Sequence, residues 1–207
     1  LADGDLAALA ERTAPASLVV GSDQAPRVAS TPGLHLSERD QFLAATESGD
    51  ALDPSAWSMD PDDIAVLLYT SGTTGEPKAA VLRHKNLVGY ILGSVEFMGA
   101  GEDEATLVSV PPYHIAGLAA ILSSVYAGRR IVQLPTFDAD TWIDLVLAEG
   151  VTHAMVVPTM LARIVERMTA RSIELPSLRA LSYGGGRMPL PVIDQALGLF
   201  PETRFVN

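Results

Sequence analysis

Between two apolar runs, Ile64–Tyr69 and Ala79–Leu82, the chain reads Thr70-Ser71-Gly72-Thr73-Thr74-Gly75-Glu76-Pro77-Lys78. The hydroxyls of Thr70, Ser71, Thr73 and Thr74 are small donors, Gly72 and Gly75 leave backbone N–H groups bare, and Lys78 adds an ammonium. A polyphosphate needs such a set, because nests of backbone amides and charge-assisted hydrogen bonds both favour anions. A plain strand–turn–strand linker uses the same turn residues. An ATPase P-loop does not fit, since it needs G-x-x-x-x-G-K-[ST] running into a helix. Here Gly72 and Gly75 stand too close, Lys78 does not follow a glycine, and Ala79–Leu82 reads as a strand.

Two further groups of residues invite chemistry. His114 lies in Pro111-Pro112-Tyr113-His114-Ile115-Ala116-Gly117, between a predicted strand and a very apolar predicted helix. Taken alone, a histidine so placed is more often a hydrogen-bonded core residue than a functional one. Gly184-Gly185-Gly186 ends the predicted strand Leu178–Tyr183. Three glycines can mark any tight strand-to-helix turn, but ligands of open α/β sheets bind outside the carboxyl ends of strands. Asp60, Asp62 and Asp63 lack the spacing and the glycine of a calcium loop, so no metal site is expected there.

Position by position, Tyr69–Lys78 resembles the phosphate loop of the adenylate-forming superfamily, Tyr/Phe-Thr-Ser-Gly-Ser/Thr-Thr-Gly-x-Pro-Lys-Gly. That superfamily comprises acyl- and aryl-CoA ligases, luciferases and the adenylation domains of peptide synthetases. Ala79 departs from it, standing where glycine is usual, and its methyl should restrict the hinge of the loop. Pro111–Gly117 resembles the Pro-x-x-His-x-x-Gly segment of the acyl- and aryl-CoA ligases. Gly184–Pro191 is similar to a Gly-Gly-Ala/Glu segment that runs beside adenine and the acyl group, and Val157–Leu161 to a strand-to-helix passage.

The resemblance implies an ATP-dependent acid–CoA ligase that uses Mg2+ and makes an acyl-adenylate, then a thioester with CoA. It implies catalytic roles for Thr70, Lys78 and His114. ATP would be held by Thr70, Ser71, Gly72, Thr73, Thr74, Gly75 and Lys78 together with Gly184, Gly185 and Gly186. The carboxylic acid would meet Tyr113, His114, Tyr183 and Gly184. Amino-acid adenylating relatives place an aspartate near the histidine segment to hold the substrate amine. No acidic residue lies between Glu104 and Asp138, which favours an acid without an α-amino group. An amino-acid adenylation domain and a non-catalytic nucleotide- or acyl-binding module are the alternatives.

Full members of the superfamily continue with Tyr-Gly-x-Thr-Glu, whose glutamate helps hold magnesium, with an aspartate for the ribose, and with a small C-terminal domain bearing a catalytic lysine. The 207 residues stop where Tyr-Gly-x-Thr-Glu would begin. The expectation is therefore an incomplete portion of the large N-terminal domain over residues 1–207. Alone it should be inactive, and it should associate with itself or with the remainder of its own chain.

Composition agrees with one α/β domain. A chain of 207 residues, 48% apolar and 19% charged, can bury one substantial core and is not disordered. A net charge of −11 argues against nucleic acid or an anionic membrane as partner. The absence of cysteine excludes disulfides and thiolate metal sites. No apolar run reaches the ~20 residues of a membrane span and the amino end is unlike a signal peptide, so a cytoplasmic location is expected.

The positioning elements follow from periodicity. A helix over 5–12 and a strand over 17–20 precede a long irregular connection, Gly21–Asp63, that holds one helix over 37–46. Ile64–Tyr69 reads as a buried strand and Ala79–Leu82 as a short one. A helix starting at His84 or Asn86 carries an apolar stripe of Leu87, Val88, Ile91, Leu92 and Val95. Strands at 105–110, 130–134, 152–157, 178–183 and 203–206 alternate with helices at 115–126, from 138 or 140 to 149, 158–168 and up to 199. That alternation predicts a largely parallel sheet flanked by helices.

Overall fold

The computed structural model describes residues 3–28, 35–49, 53, 55, 57–70 and 78–207. It divides into a smaller unit, residues 1–58, and a larger one, residues 59–207. The smaller unit runs α1 (Asp3–Thr13), β1 (Leu18–Val20), α2 (Ala25–Val28), β2 (Leu36–Glu38) and α3 (Arg39–Ser48). Strands β1 and β2 pair in parallel, with Leu18 opposite Leu36 and Val20 opposite Glu38. This corrects the expected helix start at Ser37. Pairing with β1 holds Leu36–Glu38 extended, so α3 begins only at Arg39. Likewise α1 starts at Asp3, two residues ahead of the expected cap at Asp5.

The larger unit opens with β3 (Ile64–Thr70) and β4 (Lys78–Arg83), an antiparallel pair of their own, followed by α4 (His84–Ser94). Here the expectation of a buried strand fails. Ile64 is 53% and Leu67 41% exposed, because among the described residues the ribbon has only two strands and belongs to no larger sheet. The apolar stripe on α4 is also only half covered. Leu87, Ile91 and Val95 are partly buried, whereas Val88 and Leu92 face outward.

The expected parallel sheet is formed by β5 (Ala105–Val108), β6 (Arg130–Gln133), β7 (His153–Val156), β8 (Ala180–Tyr183) and β9 (Arg204–Val206). The strand order is β6-β5-β7-β8-β9, every pair parallel. The joining helices are α5 (Ile115–Ala127), α6 (Ala139–Glu149), α7 (Pro158–Arg171) and α8 (Leu190–Leu199). Their ends obey local chemistry. Asp138 Oδ1 caps α6 by accepting from the Thr141 N–H at 2.9 Å, a contact worth about 1 kcal/mol. Gly128 and Gly150, at φ +74° and +58°, terminate α5 and α6 in the left-handed region. Pro158 sits in the first turn of α7, where its missing N–H costs nothing.

All four residues of β5 are buried, as a central strand covered on both faces requires. Its crossover through α5 leads to β6 on one side, and the next one returns past β5 to β7 on the other. Right-handed crossovers then set α5 on one face and α6, α7 and α8 on the opposite one. The main core lies beneath those three helices, where Trp142, Ile143, Leu161, Ile164 and Met168 are fully buried with Leu107, Val156 and Leu181 of the sheet. Each such aliphatic side chain contributes about 1.5–3 kcal/mol by leaving water.

The amino edge of the sheet is tied by polar groups. Thr152 Oγ1 accepts from the Ala105 N–H and donates to the Ala105 carbonyl, both at 3.0 Å, joining the starts of β5 and β7. Arg129 pairs with Glu104 at 2.8 Å, Arg130 with Glu149 at 2.7 Å, and Arg179 with Asp103. His153 Nδ1 lies 2.8 Å from Thr152 Oγ1 and 3.8 Å from Glu104. Burial of the ring, reinforced by the positive charge of Arg129, holds the His153 pKa below its ordinary value; Glu104 pulls the other way. Burial is the largest single influence on the Glu104 carboxyl and raises its pKa, but the hydrogen bond and charge of Arg129, with smaller contributions from His153 and the Gly101 backbone, together outweigh it and keep the pKa low.

Candidate active site on the carboxyl edge

Neighbouring strands β5 and β7 send their connections to opposite faces, which opens a crevice at their carboxyl ends. The segment after β5 carries Tyr113 and His114, that after β7 is Val157-Pro158, and that after β8 is Gly184-Gly185-Gly186. The fold therefore places two of the three sequence-predicted groups, the histidine segment and the triple glycine, on one edge.

His114 occupies the position just ahead of α5. Its N–H donates to the Pro111 carbonyl at 3.0 Å, and its carbonyl accepts from the Leu118 N–H at 3.1 Å. The imidazole is exposed and lies against Tyr113, with ring centroids 4.9 Å apart at 47°. Exposure excludes the reading of His114 as a core residue. Gly117 makes this geometry possible: a Cβ built there would meet the Pro111 carbonyl oxygen at 2.3 Å and that of Val110 at 2.5 Å. The first turn of α5 thus rests directly on the backbone of the segment that bears His114. In the sequence Gly117 shows only as one position of a motif, and a glycine in the first turn of an apolar helix was the available signal.

The triple glycine leans on the end of β7. The Gly184 N–H donates to the Val156 carbonyl at 3.3 Å. Gly185 takes φ +79°, a conformation that favours glycine, with its Cβ position 3.4 Å from Val157 Cγ1; that of Gly186 is 3.7 Å from the Pro158 ring. Tyr183, half-buried at the end of β8, packs edge-on against Phe205 with centroids 6.4 Å apart. Beyond the glycines, Arg187 to Pro191 line an open depression.

The third group sits on the β3–β4 ribbon. Thr70 ends β3 and Lys78 opens β4, and the two are register partners. The two ends of the motif thus face each other across the ribbon, and Lys78 enters a strand, as the rejection of a P-loop required. Ser71, Gly72, Thr73, Thr74 and Gly75 lie outside the described residues. The ribbon is joined to the histidine segment through α4, which packs on β4 and on α5. Among the described residues no cluster of three His, Asp or Glu side chains could hold a metal ion.

An open parallel α/β sheet with a switch point and a glycine turn on its carboxyl edge belongs to the α/β class that binds ligands at such an edge. Comparison with known proteins narrows the class: a family description of AMP-binding enzymes matches residues 3–207, and the chain belongs to that family. The 2-succinylbenzoate–CoA ligase of Arabidopsis thaliana is 32% identical over 154 residues, 73% of this chain and 27% of that protein. The enzyme of that name from Bacillus pumilus is 38% identical over 139 residues, 67% of this chain and 28% of its own length. Among solved structures, O-succinylbenzoate CoA synthetase (MenE) from Bacillus subtilis, in complex with ATP and magnesium ion, superposes with a TM-score of 0.78 at 26% identity. The match covers 96% of this chain and 40% of that one. The N-terminal domain of FACL13 from Mycobacterium tuberculosis shares the fold with a TM-score of 0.82 at 24% identity, over 96% of this chain and 52% of that one. The chain therefore spans about a quarter of the length of these curated relatives, 27% and 28%. No helix among the described residues is long and apolar enough to cross a membrane.

Proposed function

We propose that the full-length protein is an ATP-dependent acid–CoA ligase and that residues 1–207 supply part of its large, AMP-binding domain. In the first step a carboxylate oxygen attacks the α-phosphorus of ATP, the bond to the bridging oxygen breaks, and pyrophosphate leaves. In the second the sulfur of CoA attacks the acyl carbon, AMP departs, and the thiol proton is lost to solvent. The observation that carries this reading is the exposed His114 sharing the carboxyl edge with Gly184–Gly186 in a chain that also bears the Tyr69–Lys78 motif.

The protein's work in the first step is alignment and charge stabilisation. Thr70, Ser71, Gly72, Thr73, Thr74, Gly75 and Lys78 hold the departing phosphates, with Thr70 and Lys78 fixed opposite each other by the ribbon. Gly184, Gly185 and Gly186 let the nucleotide lie against backbone, and His114, Tyr113 and Tyr183 orient the acid. Mg2+ accompanies ATP, as in the MenE complex. The acid resembles the aryl-substituted acid that names the relatives, 2-succinylbenzoate, in lacking an α-amino group. An amino-acid substrate is disfavoured because the chain from residue 105 to 137 has no carboxylate to hold an ammonium.

The test is ATP–pyrophosphate exchange by the full-length protein with a panel of carboxylic acids. His114→Ala should raise the KM for the acid at least about tenfold, the equivalent of ~1.4 kcal/mol of lost contact, while the KM for ATP changes less than about twofold. Equal effects on both, or an α-amino acid as best substrate, overturn the reading.

A further inference from the structure

A buried hydroxyl on the amino edge of the sheet has one proton and two acceptors. Thr152, 2% exposed, stands just ahead of β7, and its Oγ1 accepts from the Ala105 N–H at 3.0 Å. The Ala105 carbonyl lies 3.0 Å from the same oxygen and Nδ1 of His153 lies 2.8 Å from it. The carbonyl does not depend on the hydroxyl, because it also receives the Thr152 N–H at 2.9 Å. Nδ1 has no second donor among the described residues. Its other near neighbour, Glu104 at 3.8 Å, is an acceptor, already bound by Nε and Nη2 of Arg129 at 2.8 Å each.

The state of the ring decides which acceptor takes the proton. A neutral imidazole can offer a lone pair at Nδ1, whereas a protonated one donates at both nitrogens. Charged groups face the ring from every neighbouring strand: Glu104 ahead of β5, Arg129 ahead of β6, Arg179 ahead of β8 and Arg204 on β9. Arg179 is itself paired with Asp103. The half-buried ring thus stands among three guanidiniums and one adjacent carboxylate, a setting that favours the neutral form. We propose that this joint between β5 and β7 is a proton-operated switch: the Thr152 hydroxyl donates to His153 while the ring is neutral and turns to the Ala105 carbonyl when the ring takes up a proton. The proton comes from solvent to Nδ1, and the ring then donates to Oγ1, so the contact between Thr152 and His153 survives with its direction reversed. The new charge repels Arg129, Arg179 and Arg204 and competes with Arg129 for Glu104, which loosens the entrances of β5, β6 and β7 together. Acid therefore weakens the pairing of β5 with β7, the two strands whose diverging connections form the crevice at the opposite edge.

The experiment uses the full-length protein with nitrogen-15 in its histidines, the His153 signals being those missing from His153→Gln. At about pH 7.5 Nδ1 should resonate as an unprotonated nitrogen that accepts a hydrogen bond, and at about pH 5 as an N–H. Thr152→Val should abolish the hydrogen-bond shift at the higher pH, and Thr152→Ser should keep it; if Thr152→Val does not fold, the wild-type spectrum still decides. Hydrogen exchange read by mass spectrometry supplies the second measurement. After correction for the pH dependence of unstructured peptides, the amides of β5 in the wild type should exchange at least about threefold faster at about pH 5.5 than at about pH 7.5, and in His153→Gln at equal rates. A ring already protonated at Nδ1 at the higher pH means that the hydroxyl always faces Ala105, which overturns the proposal. An acceleration in acid that His153→Gln shares overturns it as well.

Discussion

Gly117→Ala tests whether the contact between α5 and the His114 segment governs the site. A Cβ at 117 would stand 2.3 Å from the Pro111 oxygen, 2.5 Å from the Val110 oxygen and 2.7 Å from the Pro111 carbonyl carbon, well inside the 3.0 Å that real Cβ atoms respect. These are backbone atoms, so no rotamer change relieves the clash. The helix or the segment must move by on the order of 1 Å, and overpacking of this kind costs about 1–3 kcal/mol. Alanine regains about 1 kcal/mol over glycine in helix propensity. The net expectation is a loss of up to about 2 kcal/mol, a fall in Tm of up to about 4–8 °C for a domain of this size. The internal controls are Gly93→Ala in α4 and Gly198→Ala in α8, whose Cβ positions meet nothing within 4 Å. Those should melt at or slightly above the wild type. In kinetics Gly117→Ala should raise the KM for the acid, since the shift falls on the segment that bears His114. A Gly117→Ala protein that melts with the controls, with an unchanged acid KM, refutes the reasoning.

Lys78→Ala should lower ATP–pyrophosphate exchange by roughly tenfold to a hundredfold, the equivalent of ~1.5–3 kcal/mol for a charge-assisted contact, with Tm nearly unchanged; wild-type exchange would remove Lys78 from the phosphate site. His153, whose pKa is held below the ordinary 6.5, is neutral when folded and takes up a proton more readily when unfolded. Its contribution to stability is therefore full above pH 6.5 and lost as pH falls below it. Urea titrations between pH 7 and pH 5 should show that loss in the wild type and a shallower one in His153→Gln; identical slopes would mean that His153 does not titrate with folding.

The strands and helices from residue 105 onward were legible because their signals are local: Asp138 before α6, Gly128 and Gly150 after α5 and α6, Pro158 at the start of α7. The phosphate-loop motif was legible for the same reason, being a run of adjacent residues. What could not be read depends on partners far along the chain. The burial of β3 was misjudged because an apolar run does not reveal how many strands will flank it, and a two-stranded ribbon leaves Ile64 and Leu67 in water. β2 escaped notice because Leu36–Glu38 is extended only through its pairing with β1. The polar cluster of Glu104, Arg129, Thr152 and His153 carries no spacing signal, since the sheet gathers it from three separate strand entrances.

The tie between Thr152 and Ala105 joins residues 47 apart. Strand β5 can pair with β6 through the single crossover of α5, but its pairing with β7 must wait until β6 and α6 have been laid down. Closing that larger loop costs entropy before any ladder bond repays it, so contacts of this separation slow folding. The crevice comes into being only when β5 and β7 meet, because it is the gap between their diverging connections. A nascent or transiently opened chain can therefore own α5, β6 and α6 in good order and still lack the crevice. Ligands that occupy the crevice will draw the chain toward the state in which this late pairing is complete, and their stabilising effect should show chiefly as slower unfolding.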